Sequence, residues 1–277
     1  MAAQDERRGK VLVTGASSGI GAAFAAELAA RGRDLLLVAR RVDRLEALAA
    51  RLQADHGVEV EILAADLADP EALRRVEQRI EHGGDIDFLI NNAGIGDIAL
   101  FAEQQRDVHE RMIAVNIVAL TRLTHAVVPQ MAARGTGTII NIASGFAFDF
   151  LPGASVYAAT KAYVVQFTHV LDAELAPQGL RFQALVPGLT RTGLGGAEES
   201  GFFDQFPPDS VMEPDVLVKA SLAGLELPEL ICIPRLADVA AHDRAHAAMR
   251  AVGQSPPHNR VADRYHLGAT SGAGVAE

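Results

Sequence analysis

Lys10-Val-Leu-Val-Thr14 runs without interruption into Gly15-Ala-Ser-Ser-Gly-Ile-Gly21. The first five residues have the apolar, β-branched character of a buried strand, and Ile20 to Arg31 reads as an alanine-rich helix. Between them, Gly15, Gly19 and Gly21 remove side chains where the backbone must turn tightly and approach a ligand. A helix N-terminus after such a turn offers amide donors and the positive end of its dipole to an anion. The spacing is not that of the G-x-G-x-x-G fingerprint. With a strand before it, a helix after it and a second strand following, the turn still reads as a cradle for the pyrophosphate of a dinucleotide. Gly15, Ser17, Ser18, Gly19, Ile20 and Gly21 form that cradle.

Outward from this turn, short apolar runs alternate with longer amphipathic ones. Asp34 to Ala39, Val58 to Ala64, Ile86 to Asn91, Gly137 to Ala143 and Leu180 to Val186 read as strands. Val42 to His56, Pro70 to His82, Arg106 to Arg134 and Ser155 to Ala176 read as helices, the second with proline in its first turn. Such alternation implies a parallel sheet covered on both faces. Right-handed crossovers make it a doubly wound, Rossmann-like α/β fold in a single domain. After Pro187 the pattern breaks; a helix is expected near Asp215 to Leu225 and an edge strand at Leu230 to Ile233. The domain is expected to fill residues 1–255, with the cofactor half at about 8–150 and the catalytic and substrate part at about 151–255. Residues 256–277 read as a poorly ordered, flexible tail rich in Pro, Gly and Ala.

Composition narrows the function. In 277 residues, 35 Asp and Glu outnumber 25 Lys and Arg to leave a net charge of −10, with no basic block. Nonspecific nucleic-acid binding needs cationic neutralisation of phosphates, so no nucleic-acid partner is expected. No uninterrupted apolar run approaches membrane-span length, so no membrane partner is expected, and the N-terminus lacks a signal peptide's apolar stretch. One cysteine, Cys232, fits a reducing, cytoplasmic setting.

Two further groups carry chemistry. Ala39-Arg-Arg41 ends the second strand, where NAD sites commonly place an acidic residue. The guanidiniums of Arg40 and Arg41 suit a 2′-phosphate, which favours NADP(H) over NAD(H); the alternative is a pair of solvated arginines. In Ser155-Val-Tyr-Ala-Ala-Thr-Lys161, Tyr157 and Lys161 lie four residues apart and share a helix face. A phenol has a reference pKa of about 10. An ammonium beside it is expected to lower that value, and Ser144, at the end of a strand, adds a second donor to a substrate oxygen. His242-Asp-Arg-Ala-His246 has only a superficial likeness to a zinc-binding pair, without the glutamate or a third ligand, and reads as exposed histidines on a polar helix.

Taken together, Thr14-Gly-Ala-Ser-Ser-Gly-Ile-Gly21, Asn91-Asn-Ala-Gly94, Asn116, Ser144, Tyr157 with Lys161, and Pro187-Gly188 followed by Thr190 and Thr192 resemble the short-chain dehydrogenase/reductase family, in its order and spacing. The resemblance implies NADP(H)-dependent hydride transfer to or from a carbonyl/alcohol pair, with Asn116, Ser144, Tyr157 and Lys161 catalytic. It implies that Asp66 accepts from the adenine amine with Leu67 nearby, and that Asn91, Ala93 and Gly94 pass the adenosine side. Tyr157 and Lys161 would also meet the cofactor, Lys161 at the nicotinamide ribose. Pro187, Gly188, Thr190 and Thr192 would flank the carboxamide, and Asn116 would bind a water linking Lys161 to solvent. One departure stands out: NADP enzymes of the family often carry a basic residue where this chain has Ser18. A homodimer or homotetramer through the two long helices is also implied. Phe146, Phe148, Phe150 and Phe202 suggest an apolar cleft for a bulky or extended ketone or aldehyde substrate, with Ser144, Phe146, Phe150, Tyr157 and Phe202 lining it. The same phenylalanines could instead pack the core or a subunit contact. A non-catalytic NADP-binding sensor or scaffold is the alternative on this fold.

Overall fold

Successive residues of β1 (Lys10–Thr14) face opposite layers, and that period of two organises the molecule. Val11 and Val13 join Phe24, Leu28, Leu45 and Leu52, whereas Leu12 joins Leu73, Val76, Ile80, Leu123 and Val127. Residues 9–193, 201–254 and 263–265 are described by this computed structural model. Six further strands, β2 (Leu35–Ala39), β3 (Val60–Ala64), β4 (Ile86–Asn91), β5 (Gly137–Ile142), β6 (Leu180–Leu185) and β7 (Ile231–Cys232), complete a parallel sheet in the order β3-β2-β1-β4-β5-β6-β7. Helices α1 (Gly19–Ala30), α2 (Val42–His56) and α7 (Pro214–Gly224) cover one face. The other is covered by α3 (Pro70–Gly83), α5 (Leu120–Arg134) and α6 (Ser155–Leu175), while α4 (Arg106–Ile113) leads into α5 and crosses α6.

The chain divides into two compact units, Met1–Arg235 and Leu236–Glu277. The sheet and its helices all belong to the first. The second holds α8 (Val239–Gly253) and a short helical turn, Asp263–Tyr265. The rest of the expected tail at 256–277 lies outside the described residues. On α8, the His242 and His246 rings stack 6.1 Å apart. No group of three metal-ligand side chains occurs among the described residues.

The long helix expected over 106–134 is continuous but not uniform. Ala114–Ala119 adopts π geometry between α4 and α5, centred on Asn116 and Ile117. One window of this helix reaches a mean hydropathy of 1.5, apolar and long enough to cross a membrane, contrary to the expectation that no such stretch exists. Half of that window is buried within the molecule, where Leu123, Val127 and Met131 pack on the sheet. Cys232 is buried in edge strand β7, and burial, then the charge of Glu229, push its thiol up to about 12.

Asn91 ends β4 on the same side as Leu89, so its side chain points between α5 and α6 instead of toward the adenosine path expected of it. Its Nδ2 donates to Thr124 Oγ1 and to Asn141 Oδ1, both at 2.9 Å. Asn141 Nδ2 donates to Thr168 Oγ1 at 3.0 Å, and Thr168 donates to the Val164 carbonyl. This buried ladder fastens two strands to two helices. Asn141→Ala strips partners from Asn91 and Thr168, and is expected to cost about 2–3 kcal/mol in urea unfolding. A cost below about 0.5 kcal/mol, the range of an ordinary surface substitution, would show that the ladder does not hold the layers together.

Candidate active site

The strand order reverses at β1, which β2 and β4 flank, and ligands of doubly wound sheets sit outside the carboxyl ends of strands at such a reversal. Thr14 fixes this point. Its Oγ1 donates to the Ile90 carbonyl at 3.2 Å and accepts from the N–H groups of Asn92 at 3.0 Å and Ala93 at 2.9 Å. Asn92 Nδ2 returns the tie, donating to the carbonyls of Thr14 at 2.8 Å and Gly15 at 3.3 Å. Gly15 has φ +66°, and a Cβ there would lie 2.7 Å from Asn92 Nδ2 and 2.9 Å from Ala93 Cα. A Cβ on Gly21 would meet the Gly15 carbonyl at 2.5 Å. Gly15 and Gly21 therefore cannot carry side chains. Ser18 caps α1 through no side-chain bond, Ile20 packs on the core and Thr192 lies against Gly19.

The two loop hydroxyls are instead held by Arg41. Its Nε and Nη2 donate to Ser17 Oγ at 3.2 and 3.0 Å, and Nη2 also donates to Ser18 Oγ at 2.7 Å. Arg40 is exposed beside it. A turn bare at Gly15 and Gly21, first-turn amides with no side-chain cap and a guanidinium over two hydroxyls form a donor set that fits a dinucleotide's phosphates. At the far end, Asp66 accepts from Ala68 N–H at 3.0 Å and from Arg111 Nη2 at 2.5 Å. Partial burial acts to raise its carboxyl, but the Arg111 and Ala68 hydrogen bonds and the charges of Arg111 and Arg40 outweigh it and hold the group below its ordinary value. Leu67 is a core residue, beneath α3.

Tyr157, Lys161 and Ser144 come together at the other end of the crevice. Tyr157 and Lys161 are 7 % and 6 % exposed, in the first turns of α6. Lys161 Nζ lies 5.7 Å from the centroid of the Tyr157 ring and donates to the Ile142 carbonyl at 2.8 Å. Ser144 ends the β5 segment, and its hydroxyl interacts with the phenol. Burial pushes the Tyr157 phenol up and Ser144 pulls it down, with the net direction upward. The expected acidification by Lys161 is thus not what the protein alone produces. Burial likewise lowers Lys161, to about 8, because a desolvated ammonium is disfavoured.

Asn116 joins three pieces of chain. Its Oδ1 accepts from Ile95 N–H at 2.9 Å, and its Nδ2 donates to the Ile95 carbonyl at 2.9 Å and to Thr160 Oγ1 at 3.0 Å. Thr160 in turn donates to the Tyr157 carbonyl at 2.8 Å. Both amide hydrogens of Asn116 are thereby committed to protein, so the expected link through water to Lys161 cannot use them. Its Oδ1 and Lys161 Nζ nevertheless both border Gly94, where a Cβ would lie 3.4 and 3.5 Å from them. The same loop closes over the phenol: a Cβ on Gly96 would be 3.0 Å from the Tyr157 ring.

Around this group the surface is apolar. Phe146 meets the Tyr157 ring edge-on, centroids 5.6 Å apart, and Ile98, Leu100, Phe101, Phe148 and Leu151 are exposed on the neighbouring loops. Phe202, Phe203 and Phe206 cluster together, with the Arg191 guanidinium over the Phe203 ring. Phe150 is 96 % exposed, so in this conformation it lines no cleft. Pro187 accepts from Gly145 N–H at 3.1 Å, which ties the ends of β5 and β6. Gly188 packs under Arg235, and the Thr190 hydroxyl folds onto the Gly188 carbonyl at 3.1 Å. Residues that sequence reasoning passed over are Asn92, Arg111 and Thr160. Asn92, inside the quoted Asn91-Asn-Ala-Gly94 segment, and Thr160, inside Ser155-Val-Tyr-Ala-Ala-Thr-Lys161, carried a local signal, whereas Arg111 carried none.

The comparisons with known proteins agree with this geometry. The family model for short chain dehydrogenases matches residues 9–201. A short-chain dehydrogenase from Sphingobium yanoikuyae, solved in complex with NADPH, aligns with a TM-score of 0.87 and 44 % identity over 93 % of this chain and 100 % of that one. The bulky-bulky ketone specific alcohol dehydrogenase from Comamonas testosteroni aligns with a TM-score of 0.85 and 35 % identity, over 93 % and 98 % of the two chains. The glycine betaine reductase ATRR from Emericella nidulans is 36 % identical over 231 residues, which span 81 % of this chain but only 18 % of that much longer protein. With the family model covering the sheet from β1 to β6, the chain belongs to the short-chain dehydrogenase family and is an NAD(P)-dependent oxidoreductase acting on CH–OH and C=O groups.

Proposed function

We propose that this oxidoreductase interconverts an apolar ketone or aldehyde and its alcohol with NADP(H), and that Tyr157 is its general acid and base. The carrying observation is a phenol and an amine buried together beside Ser144 at the mouth of the switch-point crevice. The bound cofactor supplies or accepts the hydride. In reduction, Ser144 orients the carbonyl oxygen, and the Tyr157 proton passes to that oxygen as the hydride reaches carbon. A phenol raised by burial stays protonated at neutral pH, as a general acid must. The Lys161 ammonium stands beside the phenolate left behind and replaces its proton, while Asn116 and Thr160 hold Tyr157 and the Ile95 loop in register. The sensor alternative would not need this buried group of Asn116, Ser144, Tyr157 and Lys161, which supports the enzyme reading.

The NADP preference rests on Arg41. Ser18 stands where the family often has a basic residue, and Arg41 reaches that hydroxyl from the end of β2, so its cation occupies the same region. Arg40 adds charge nearby. Gly94, Pro187, Gly188, Thr190 and Thr192 line the remaining path, through backbone and close packing more than through free hydroxyls. An apolar substrate is supported by Phe146 against the phenol and by the exposed apolar loops around it, and a structural relative is described as specific for bulky-bulky ketones. Phe202 belongs to this rim through its cluster with Phe203 and Phe206. Exposed Ile113, Val118 and Val170 on the long helices, beside the stacked rings of Tyr163 and Phe167, suit a homodimer contact.

Tyr157→Phe is expected to bind NADPH as the parent does and to lose at least ~100-fold in turnover, the scale of general acid catalysis. Turnover that persists, or a carbonyl panel in which only small polar ketones react with the parent, refutes the acid or the apolar cleft respectively. Arg41→Gln should raise the Kd for NADPH about tenfold or more and leave that for NADH nearly unchanged. Equal effects on both would remove Arg41 from phosphate recognition. Lys161 has a third consequence. Its folded value of about 8 lies below 10.5, so the unfolded chain binds more protons between the two and stability rises as the pH passes 8. Below that, burying the ammonium costs on the order of 3 kcal/mol. Lys161→Met should melt higher than the parent at pH 7 and lose most of that rise; a lower melting temperature at pH 7 contradicts the assignment.

A further inference from the structure

The adenine end of the crevice carries an arrangement that the reaction chemistry does not require. Asp66 follows β3, and its carboxylate is gripped on both sides: Ala68 N–H on Oδ1 at 3.0 Å and Arg111 Nη2 on Oδ2 at 2.5 Å. Arg111 comes from α4, 45 residues further along the chain, and among the described residues Asp66 is its only ion-pair partner. The two side chains are 36 % and 41 % exposed. A pair so open to water contributes little to folding. Its geometric effect is larger. With one donor on each oxygen, the carboxylate plane is fixed, and each oxygen keeps a further lone pair.

Resting on the dinucleotide reading of this site, we propose that Arg111 is a positioning residue for adenine recognition: it fixes the Asp66 carboxylate so that it accepts from the base's exocyclic amine, and thereby sets a preference for adenine over a base bearing a carbonyl there. A carboxylate can accept from an amine but meets a carbonyl oxygen acceptor against acceptor, so the discrimination needs an oriented, ionised Asp66. Arg40, exposed beyond the end of β2, adds its positive charge to the same carboxyl. No other residue of α4 bonds to Asp66 among the described residues.

The test uses the full chain and calorimetric Kd values for NADPH and for its hypoxanthine analogue, in which the 6-amine is a carbonyl. The parent is expected to prefer NADPH by about tenfold, one well-made hydrogen bond. Arg111→Met should cut that ratio at least threefold by weakening NADPH alone, and Arg111→Lys should retain part of it. In Arg111→Met the remaining preference should also vanish at a higher pH than in the parent, because the carboxyl loses the partner that keeps it ionised. A ratio and pH profile unchanged in a folded Arg111→Met overturn the proposal. No preference in the parent overturns it as well, together with the adenine reading of Asp66, while NADPH binding that still depends on Arg41 would leave the phosphate-end reading standing.

Discussion

Five hydrogen bonds around Thr14 and Asn92 join the turn after β1 to the exit of β4. A strand end followed by a tight glycine turn has no partner of its own on the side where the sheet order reverses. The Thr14 hydroxyl supplies one, accepting from two successive amides of the β4 exit and donating to a third residue there. Asn92 closes the loop in the other direction. The cradle after β1 and the loop after β4 are therefore a single rigid piece, and everything else is placed relative to it. Ile95 and Gly96 continue from that loop over the Asn116 joint and the Tyr157 ring, so phosphate cradle and phenol share one frame.

Burial sets the chemistry at the far end of this frame. Tyr157 and Lys161 come from successive turns of one helix, yet neither behaves as it would in water. Desolvation favours the neutral form of each, raising the phenol and lowering the amine to about 8, so two proton affinities that nearly coincide in water move apart. The phenol therefore holds its proton more firmly than the amine does. In the resting protein burial, not the neighbouring amine, sets the direction in which the phenol shifts.

The strands and helices up to β6 were legible in the sequence to within about two residues, because strand-length apolar runs and amphipathic stretches leave few alternatives. The spacing of Tyr157 and Lys161 was equally legible, being local. Four things were not. Asn91 sits at the boundary between core and crevice, and a single step of strand parity decides which it serves; it serves the core. Arg111 reaches Asp66 across 45 residues, and no local pattern marks such a partner. The direction in which Tyr157 shifts depends on how dry its pocket is, a property of the assembled loops around Gly96 and Phe146 and not of spacing. The boundary between compact units, after Arg235, also fell where no change of composition announces it.

The π stretch at Ala114–Ala119 acts as a phase shifter. Each residue turns an α-helix by about 100°, so one residue accommodated in a wider turn rotates all that follows relative to what came before. Before it, α4 offers Arg111 to the crevice; after it, α5 offers Leu123 and Val127 to the sheet. Both duties fall to one unbroken rod only because of that offset. Side chains along this rod can be exchanged one at a time, but excising a single residue from the wide turn would swing one duty out of alignment with the other, making chain length here a stricter constraint than chain composition.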